Sequence, residues 1–343
     1  MKFILVSGGS GGHIYPCLSL ANYLKERGES VLLVGVKGGM EEDIYLKSGL
    51  DSKFFEINKK KVKSFFNNYK SISSLYSEYK PDAIILFGNY ISFSFAIVAK
   101  KMKLPIYLHE QNVIYGKANK LIGLFAKRIY LSLPIKNDLY KNKSLLVGNP
   151  KGEDSKIVDV YLNKSKKNVF IVMGSLGSET VNQVVKKMID VVSGDINFHL
   201  VIGKKHYEKF IKEITKKENV FIYPYLDNLI SYTSKCDLLV SRSGATTISE
   251  IINYKIPSIL IPSPYVSNNH QYKNAMYLKE YDACCVLNEK DLDENVLIGK
   301  INELVRDELT VKKLKKNLEK LEIKNTRKLI YEDILKHEKR VNK

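Results

Sequence analysis

Cysteine is scarce in this chain, and what there is cannot build a disulfide framework. Cys17, Cys236, Cys284 and Cys285 are four residues in 343. Two of them are adjacent and none forms a Cys-x-x-Cys pair, which points to a reducing compartment. No stretch approaches the ~20 apolar residues of a membrane-spanning helix. The opening run from Met1 to Gly9 is too short in apolar residues for a signal-peptide core. A soluble cytoplasmic protein, or one resting on the inner membrane face without crossing it, is the expectation. Acidic residues are outnumbered, 37 Asp and Glu against 55 Lys and Arg, for a net charge of +18. Such an excess calls for an anionic partner or surface; nucleic acid, phosphorylated substrates and acidic lipid all qualify on charge, and simple Lys-rich drift in composition is the alternative. Zinc-finger, RRM and KH signatures are missing, so no nucleic-acid partner is expected. The six histidines show no His-Glu-x-x-His or comparable spacing, so no metal is expected either.

Length and composition are those of a globular protein: 343 residues, 44% hydrophobic and 27% charged, with about 150 residues per domain giving two domains. Phe3 to Val6 reads as a strand, a glycine loop follows, then a helix from about Tyr15 to Arg27 and a second strand at Ser30 to Val34. That is a βαβ unit, the mark of a parallel sheet covered by helices. Apolar runs recur at Ala83 to Phe87, Ile106 to Leu108 and Ile129 to Leu131, so residues 1–150 form one doubly wound domain. After the turn Asn149-Pro150-Lys151-Gly152 and a polar crossover, a second series begins at Val169 to Met173. It continues at His199 to Ile202, Val220 to Tyr223, Leu238 to Ser241 and Ser258 to Ile261. This second domain spans 151–326, and a closing helix over 327–343 is expected to pack back on the first. The fold class is α/β, two doubly wound, Rossmann-like domains.

Several segments carry the residue types that chemistry needs. In Gly8-Gly9-Ser10-Gly11-Gly12-His13, glycines permit positive φ and close backbone approach, and a helix start offers free N–H groups to an anion. The loop fails the dinucleotide and P-loop patterns. Its match to the hydrolase G-x-S-x-G elbow lacks an upstream oxyanion loop. A tight βα turn with no ligand would account for the glycines alone; His13, at the mouth of the sheet, suits acid/base work. Ser241 to Glu250 follows a strand and opens a helix, offering N–H and O–H donors to a diphosphate, with Glu250 two turns in where ribose hydroxyls could reach it. His109-Glu110-Gln111-Asn112 ends a strand, where open parallel sheets bind ligands. Asn268 to Asn274 is an amide-dense segment able to read hydroxyls, or simply a polar surface loop. Asp291-Leu292-Asp293 looks like a metal–nucleotide pair but suits a helix cap better. Lys59 to Tyr79, basic at its start and apolar on more than one face, could lie at a membrane surface or pack on its own sheet.

Five of these motifs together resemble the MurG family of peptidoglycan glycosyltransferases. They are Gly8 to Pro16, His109 to Asn112, Gly148-Asn149-Pro150, Ser241 to Glu250, and His270 to Asn274. The resemblance covers almost the whole chain and implies the GT-B fold, two domains facing a cleft. It also implies an inverting transfer of N-acetylglucosamine from UDP-N-acetylglucosamine to undecaprenyl-diphosphate-linked N-acetylmuramyl-pentapeptide. The implied setting is cell-wall biogenesis, hence cell shape, division and the cell cycle, at the cytoplasmic face of the cell membrane, bound peripherally to an anionic surface. No cofactor is implied. His13 would be the base and Ser10, Gly11 and Gly12 would hold diphosphate or sugar. Glu110 and Asn112 would serve the substrate from the first domain. Leu226 would meet uracil, Ser175 the nucleotide side, and Ala245, Thr246, Thr247, Ile248 and Ser249 the diphosphate. Glu250 would take ribose, and Gln271 and Asn274 the sugar. The chain departs from the family at Ser10 (usually Thr), Asn89 (usually Gly), Gly152 (usually Arg) and in the loop Met173 to Ser178. A transferase acting on another lipid and a UDP-N-acetylglucosamine 2-epimerase are the alternatives.

Overall fold

The structure, a computed structural model, describes residues 1–56, 62–153, 157–174 and 177–339, with the backbone alone for 62–67 and 339. The chain divides into a first unit, Met1–Asp154 with Ile323–Lys343, and a second, Ser155–Glu322. Ile323 and Thr326 belong to the first unit because Gly148 packs directly against both.

In the first unit the strands are β1 (Lys2–Val6), β2 (Ser30–Val36), β3 (Ser52–Phe55), β4 (Ala83–Leu86), β5 (Ile106–Glu110), β6 (Arg128–Leu131) and β7 (Ser144–Leu146). They form a parallel sheet in the order β3-β2-β1-β4-β5-β6-β7. Between and after them come α1 (Gly11–Glu26), α2 (Met40–Ser48), α3 (Val62–Tyr79), α4 (Asn89–Lys101), α5 (Lys117–Ile122) and the single turn α6 (Pro150–Glu153). The order reverses between β1 and β4, so the loops leaving their carboxyl ends diverge to opposite faces and open a crevice, where doubly wound sheets take their ligands.

The second unit repeats the plan with β8 (Lys167–Val172), β9 (Ile196–Val201), β10 (Val220–Tyr223), β11 (Leu238–Ser241), β12 (Ser258–Leu260) and β13 (Cys285–Val286), ordered β10-β9-β8-β11-β12-β13. Its helices are α7 (Glu179–Val191), α8 (Lys204–Lys212), α9 (Leu229–Thr233), α10 (Ala245–Tyr254), α11 (His270–Glu280), α12 (Glu294–Arg306) and α13 (Glu308–Glu319). The reversal falls between β8 and β11.

Three edge strands, β3, β7 and β13, fall outside the sequence expectation. They are short and mixed in composition, and pairing with an existing neighbour, more than local propensity, makes them strands. Helix α1 starts at Gly11, four residues before the expected Tyr15. Two glycines followed by a proline read locally as a loop, but burial of Ile14, Cys17, Ala21 and Leu24 draws the backbone into helix. In α3, Ile72, Leu75 and Tyr76 are core residues, so the domain interior accounts for those apolar positions. Lys59, Lys60 and Lys61, and the side chains of Lys63, Phe65 and Phe66, lie outside the described residues.

The last helix, α14 (Thr326–Lys339), closes the first unit. Ile330 and Ile334 enter the same core cluster as Phe3, Leu5, Leu20, Tyr107 and Tyr130. Its start is fixed by the Thr326 hydroxyl, which donates to the Val147 carbonyl at 2.7 Å, and by Thr326 N–H donating to Glu153 at 2.8 Å. Asp333 pairs with Arg128 at 3.0 Å and accepts from the Tyr130 hydroxyl at 3.0 Å. A chain segment at least 173 residues downstream of these neighbours is therefore part of the first core. Truncating Ile334 to alanine should cost about 2–4 kcal/mol, the usual loss for a buried aliphatic side chain. Urea unfolding of parent and variant measures it.

Candidate functional site

Each unit carries its chemistry at the carboxyl edge of its sheet. In the first, β1 runs into Gly8 and Gly9, with Gly9 at φ +90°, and Ser10 is the N-cap of α1. Ser10 leaves the helix backbone uncapped: its hydroxyl meets His13 Nδ1 at 3.2 Å instead. No acidic residue occupies the first turn of α1, so the N–H groups of Gly11 and Gly12 and the positive end of the dipole stand ready for an anion. With Nδ1 on Ser10, the far edge of the His13 ring lies against Gly88: a Cβ built there would be 3.1 Å from His13 Nε2. Gly88, at φ +103°, caps α4, which also has no side-chain cap and no acidic first turn. Asn89, where the family usually has glycine, keeps a left-handed φ of +69°. Asparagine is among the few side chains that accept it.

At the end of β5 the structure reassigns two expected residues. Glu110 is buried, and its carboxylate accepts four bonds: from Asn112 N at 3.0 Å, Asn112 Nδ2 at 3.2 Å, Gly116 N at 2.9 Å and Asn119 Nδ2 at 2.8 Å. Those fill a carboxylate's lone-pair sites. Glu110 is therefore a loop anchor and not the substrate ligand expected of it, and Asn112 is its partner in that anchor. Burial pushes the Glu110 carboxyl up, while the four donors pull the other way. Asn119, which the sequence reading passed over, is 2% exposed. Its Nδ2 is fixed on Glu110, and its Oδ1 is buried without a partner among the described residues and, like His13 Nε2, lies 3.1 Å from the Cβ position of Gly88. No local signal marks it; only the topology brings α5 beside α4 and the Gly88 turn.

His109 is fully buried. Gln111 Nε2 approaches its Nδ1 at 3.2 Å, and its Nε2 faces the Gly148 carbonyl at 3.3 Å, which suits a neutral ring carrying its proton on Nε2. Burial pushes its pKa from an ordinary 6.5 to about 4.

In the second unit, α7 and α10 both begin at the switch point, and they differ. Ser178 caps α7 by accepting from Val181 N at 3.4 Å, and Glu179 occupies its first turn, so α7 satisfies its own N-terminus. Helix α10 begins at Gly244 with no side-chain cap and no acidic first turn. The N–H groups of Ala245, Thr246 and Thr247 have no carbonyl one turn back. The Thr246 hydroxyl is buried and without a partner among the described residues. Ile248 is corrected: its N–H already donates to the Gly244 carbonyl at 2.9 Å and its side chain is core. Ser249 is buried within the helix, and Glu250 is half-buried one residue on.

Asn274 is also corrected. It is 0% exposed, and its Nδ2 donates to the Ser243 carbonyl at 3.2 Å, so it shapes the β11–α10 turn from behind and presents no surface to a sugar here. Gln271 is half-buried, with its Oε1 accepting from Ser263 N at 2.9 Å; what it can offer a ligand is its NH₂. Leu226 is half-buried in the β10–α9 turn, and Ser175 lies outside the described residues. Arg242 is a further residue missed from sequence. Its guanidinium meets Glu289 at 2.5 Å, the Ile261 carbonyl at 3.0 Å and the Ser178 hydroxyl at 2.8 Å, tying together the loops after β8, β11 and β12. Asp293 caps α12 by accepting from Val296 N at 2.8 Å. Among the described residues no group of three or more His, Cys, Asp or Glu is gathered for a metal.

Two doubly wound units, each with an uncapped helix N-terminus at its switch point, offer anion-binding positions at the carboxyl edges of their sheets. Residues 3–131 match the model of the glycosyltransferase family 28 N-terminal domain, and residues 168–330 match its C-terminal domain. The chain belongs to glycosyltransferase family 28 and has the GT-B fold. It is 35% identical to a protein of Halalkalibacterium halodurans over 89% of this chain and 91% of that protein. It is 32% identical to one of Bacillus subtilis over 96% of this chain and 98% of that protein. Both are named UDP-N-acetylglucosamine–N-acetylmuramyl-(pentapeptide) pyrophosphoryl-undecaprenol N-acetylglucosamine transferase. The fold is shared with the crystal structure of MurG from Acinetobacter baumannii, at a TM-score of 0.82 and 20% identity over 98% of this chain and all of that one. It is also shared with a putative UDP-N-acetylglucosamine 2-epimerase from Listeria monocytogenes, at 0.75 and 12% over 98% of this chain and 96% of that one.

The buried histidines make stability depend on pH. His109 and His199 both have folded-state values near 4 against an ordinary 6.5. Between those values the unfolded chain binds more protons, so the folded state is fully favoured above about pH 6.5 and loses stability as pH falls towards 4. The slope from one such group is at most about 1.4 kcal/mol per pH unit. Urea unfolding from pH 7.5 to 4.5 should show the decline, and His109→Gln should flatten it.

Proposed function

We propose that this chain moves N-acetylglucosamine from UDP-N-acetylglucosamine to undecaprenyl-diphosphate-linked N-acetylmuramyl-pentapeptide, converting lipid I to lipid II in peptidoglycan synthesis. The observation that carries this reading is the name shared by relatives that match nearly the whole chain at about one residue in three. The chemistry we assign to it runs as a single displacement. The acceptor's C4 hydroxyl attacks the anomeric carbon, a C–O bond forms, the bond to the UDP oxygen breaks on the opposite face, and the hydroxyl proton passes to His13. Ser10 steers the ring by holding Nδ1, and Nε2 is the atom that takes the proton. The open N-terminus of α10, with the Thr246 and Thr247 hydroxyls, meets the charge that develops on the departing diphosphate. Glu250 takes the ribose hydroxyls, the NH₂ of Gln271 reads the sugar, and the Leu226 turn borders the uracil. Gly11 and Gly12 hold the acceptor's own diphosphate at the start of α1.

An epimerase of the same fold would act on UDP-N-acetylglucosamine alone. The chain incubated with UDP-N-acetylglucosamine and a short-chain lipid acceptor analogue should release UDP only when the acceptor is present, with a disaccharide product in the mass spectrum. UDP-N-acetylmannosamine forming without acceptor would replace this reading with the epimerase. A positioned base contributes roughly 10²–10⁴-fold, so His13→Ala should lose kcat by that factor with donor KM nearly unchanged. A loss under tenfold would move the base elsewhere.

The acceptor's polyprenyl chain stays in the bilayer because each exposed CH₂ costs ~0.8 kcal/mol, so the enzyme comes to the lipid. Among the described residues no helix is long and apolar enough to cross a membrane, and the net charge of +18 favours an anionic leaflet. Leu121 and Leu124, on and just after α5, are 49% and 61% exposed. Lys117 and Lys120 are exposed beside them, and Lys100 lies 4.5 Å over the Phe125 ring. This patch gives a basic rim to an apolar point of contact. Flotation with anionic vesicles should recover the parent protein, weaken with salt, and drop several-fold for Leu121→Ser/Leu124→Ser. Equal flotation of parent and variant would place the contact elsewhere.

A further inference from the structure

The loop that presents His13 is itself held by two side chains. Glu41, in the first turn of α2, is 1% exposed. Its Oε1 accepts from Val36 N at 3.1 Å and its Oε2 from Gly9 N at 3.3 Å. Glycines wall it in: a Cβ added at Gly8, Gly35 or Gly39 would stand 2.6 to 2.7 Å from Glu41 side-chain atoms. From the opposite side, Asn89 Nδ2 donates to the Gly8 carbonyl at 2.9 Å, and a Cβ on Gly9 would lie 2.0 Å from that nitrogen. The Gly8 carbonyl and the Gly9 N–H belong to one peptide group. Its oxygen is held by a donor on α4 and its N–H by an acceptor on α2, so turning the peptide over breaks both bonds at once. Its orientation fixes φ at +90° on Gly9 and thereby the direction in which Ser10 to His13 enter α1.

We propose that Glu41 and Asn89 are positioning residues that lock the Gly8–Gly9 peptide and, through it, the N-terminus of α1 and the His13 imidazole. This rests on the reading of His13 as the base. The residue types follow from the geometry. At position 41 both bonds come from backbone N–H groups, which a carboxylate accepts on both oxygens, whereas glutamine would turn an N–H against one of them. At position 89 a donor must meet a carbonyl from a backbone at positive φ; asparagine satisfies both demands, and aspartate would set an acceptor against an acceptor.

The test is steady-state kinetics of the full chain with UDP-N-acetylglucosamine and a short-chain lipid acceptor analogue. Glu41→Gln should lower kcat about 10- to 100-fold with donor KM within about threefold, the cost of misplacing a reacting group by around an ångström. Asn89→Gly should lower kcat by a smaller factor, about 3- to 10-fold, with an unchanged or higher melting temperature, since glycine accepts positive φ freely. Loss of activity without loss of stability separates positioning from a purely structural role, and Asn89→Gly carries the test if Glu41→Gln does not fold. Because Glu41 acts through His13, His13→Ala/Glu41→Gln should fall no further than His13→Ala alone. Parent-like kcat in both single variants, or a double variant that multiplies the two losses, would overturn the proposal. If His13→Ala itself keeps its rate, the base assignment fails. The lock is then judged by amide hydrogen exchange in the peptide spanning Ser7 to Ile14. Faster exchange in both variants supports it, and unchanged exchange rejects it.

Discussion

All strands of each sheet run in one direction, and the rest of the molecule follows from that constraint. A parallel strand must be reached by a crossover, every crossover here but the one from β6 to β7 carries a helix, and every helix that follows a strand starts at the sheet's carboxyl edge. Helix N-termini therefore gather along one edge of each unit, with their unsatisfied N–H groups and partial positive charge. The strand order reverses at β1/β4 and at β8/β11, so the loops there part and leave room for a ligand. An anionic substrate is favoured at those two places before any particular side chain is considered.

Which of the gathered termini stay open is decided by short-range chemistry. Helix α7 satisfies itself with Ser178 and Glu179, whereas α1, α4 and α10 carry neither a side-chain cap nor an acidic first turn. A cap typically contributes ~1 kcal/mol to a helix, so leaving three switch-point helices uncapped gives up stability that a bound diphosphate would restore. The positive charge of the chain as a whole acts on the approach of such ligands, and the open termini act on their final placement.

Behind the open termini stands a layer of buried polar groups whose bonds are internal. Glu110 spends its carboxylate on four donors, Asn274 spends its amide on the Ser243 carbonyl, and Arg242 bridges three loops while paired with Glu289. A buried ion pair is weak evidence of added stability, because desolvation offsets much of the attraction. What these groups supply is a fixed geometry for flexible, glycine-rich loops. Polar residues of the kind that catalyse reactions are used here to hold loops in place.

The sequence by itself determined the strands that pair on both sides, such as β1, β4, β8 and β11, because a strand buried on two faces must be a short apolar run. It also determined the glycine loops at the strand ends, because positive φ and close backbone approach restrict the choice of residue. The edge strands β3, β7 and β13, the early start of α1 and the fate of Glu110, Ile248 and Asn274 were decided only by the tertiary structure. A carboxylate or amide in a sequence has the same composition whether it faces substrate or a backbone N–H two loops away. Glu41, Asn89, Asn119 and Arg242 gain their roles from neighbours separated along the chain, brought within hydrogen-bond distance by the packing of βα loops that local sequence cannot register.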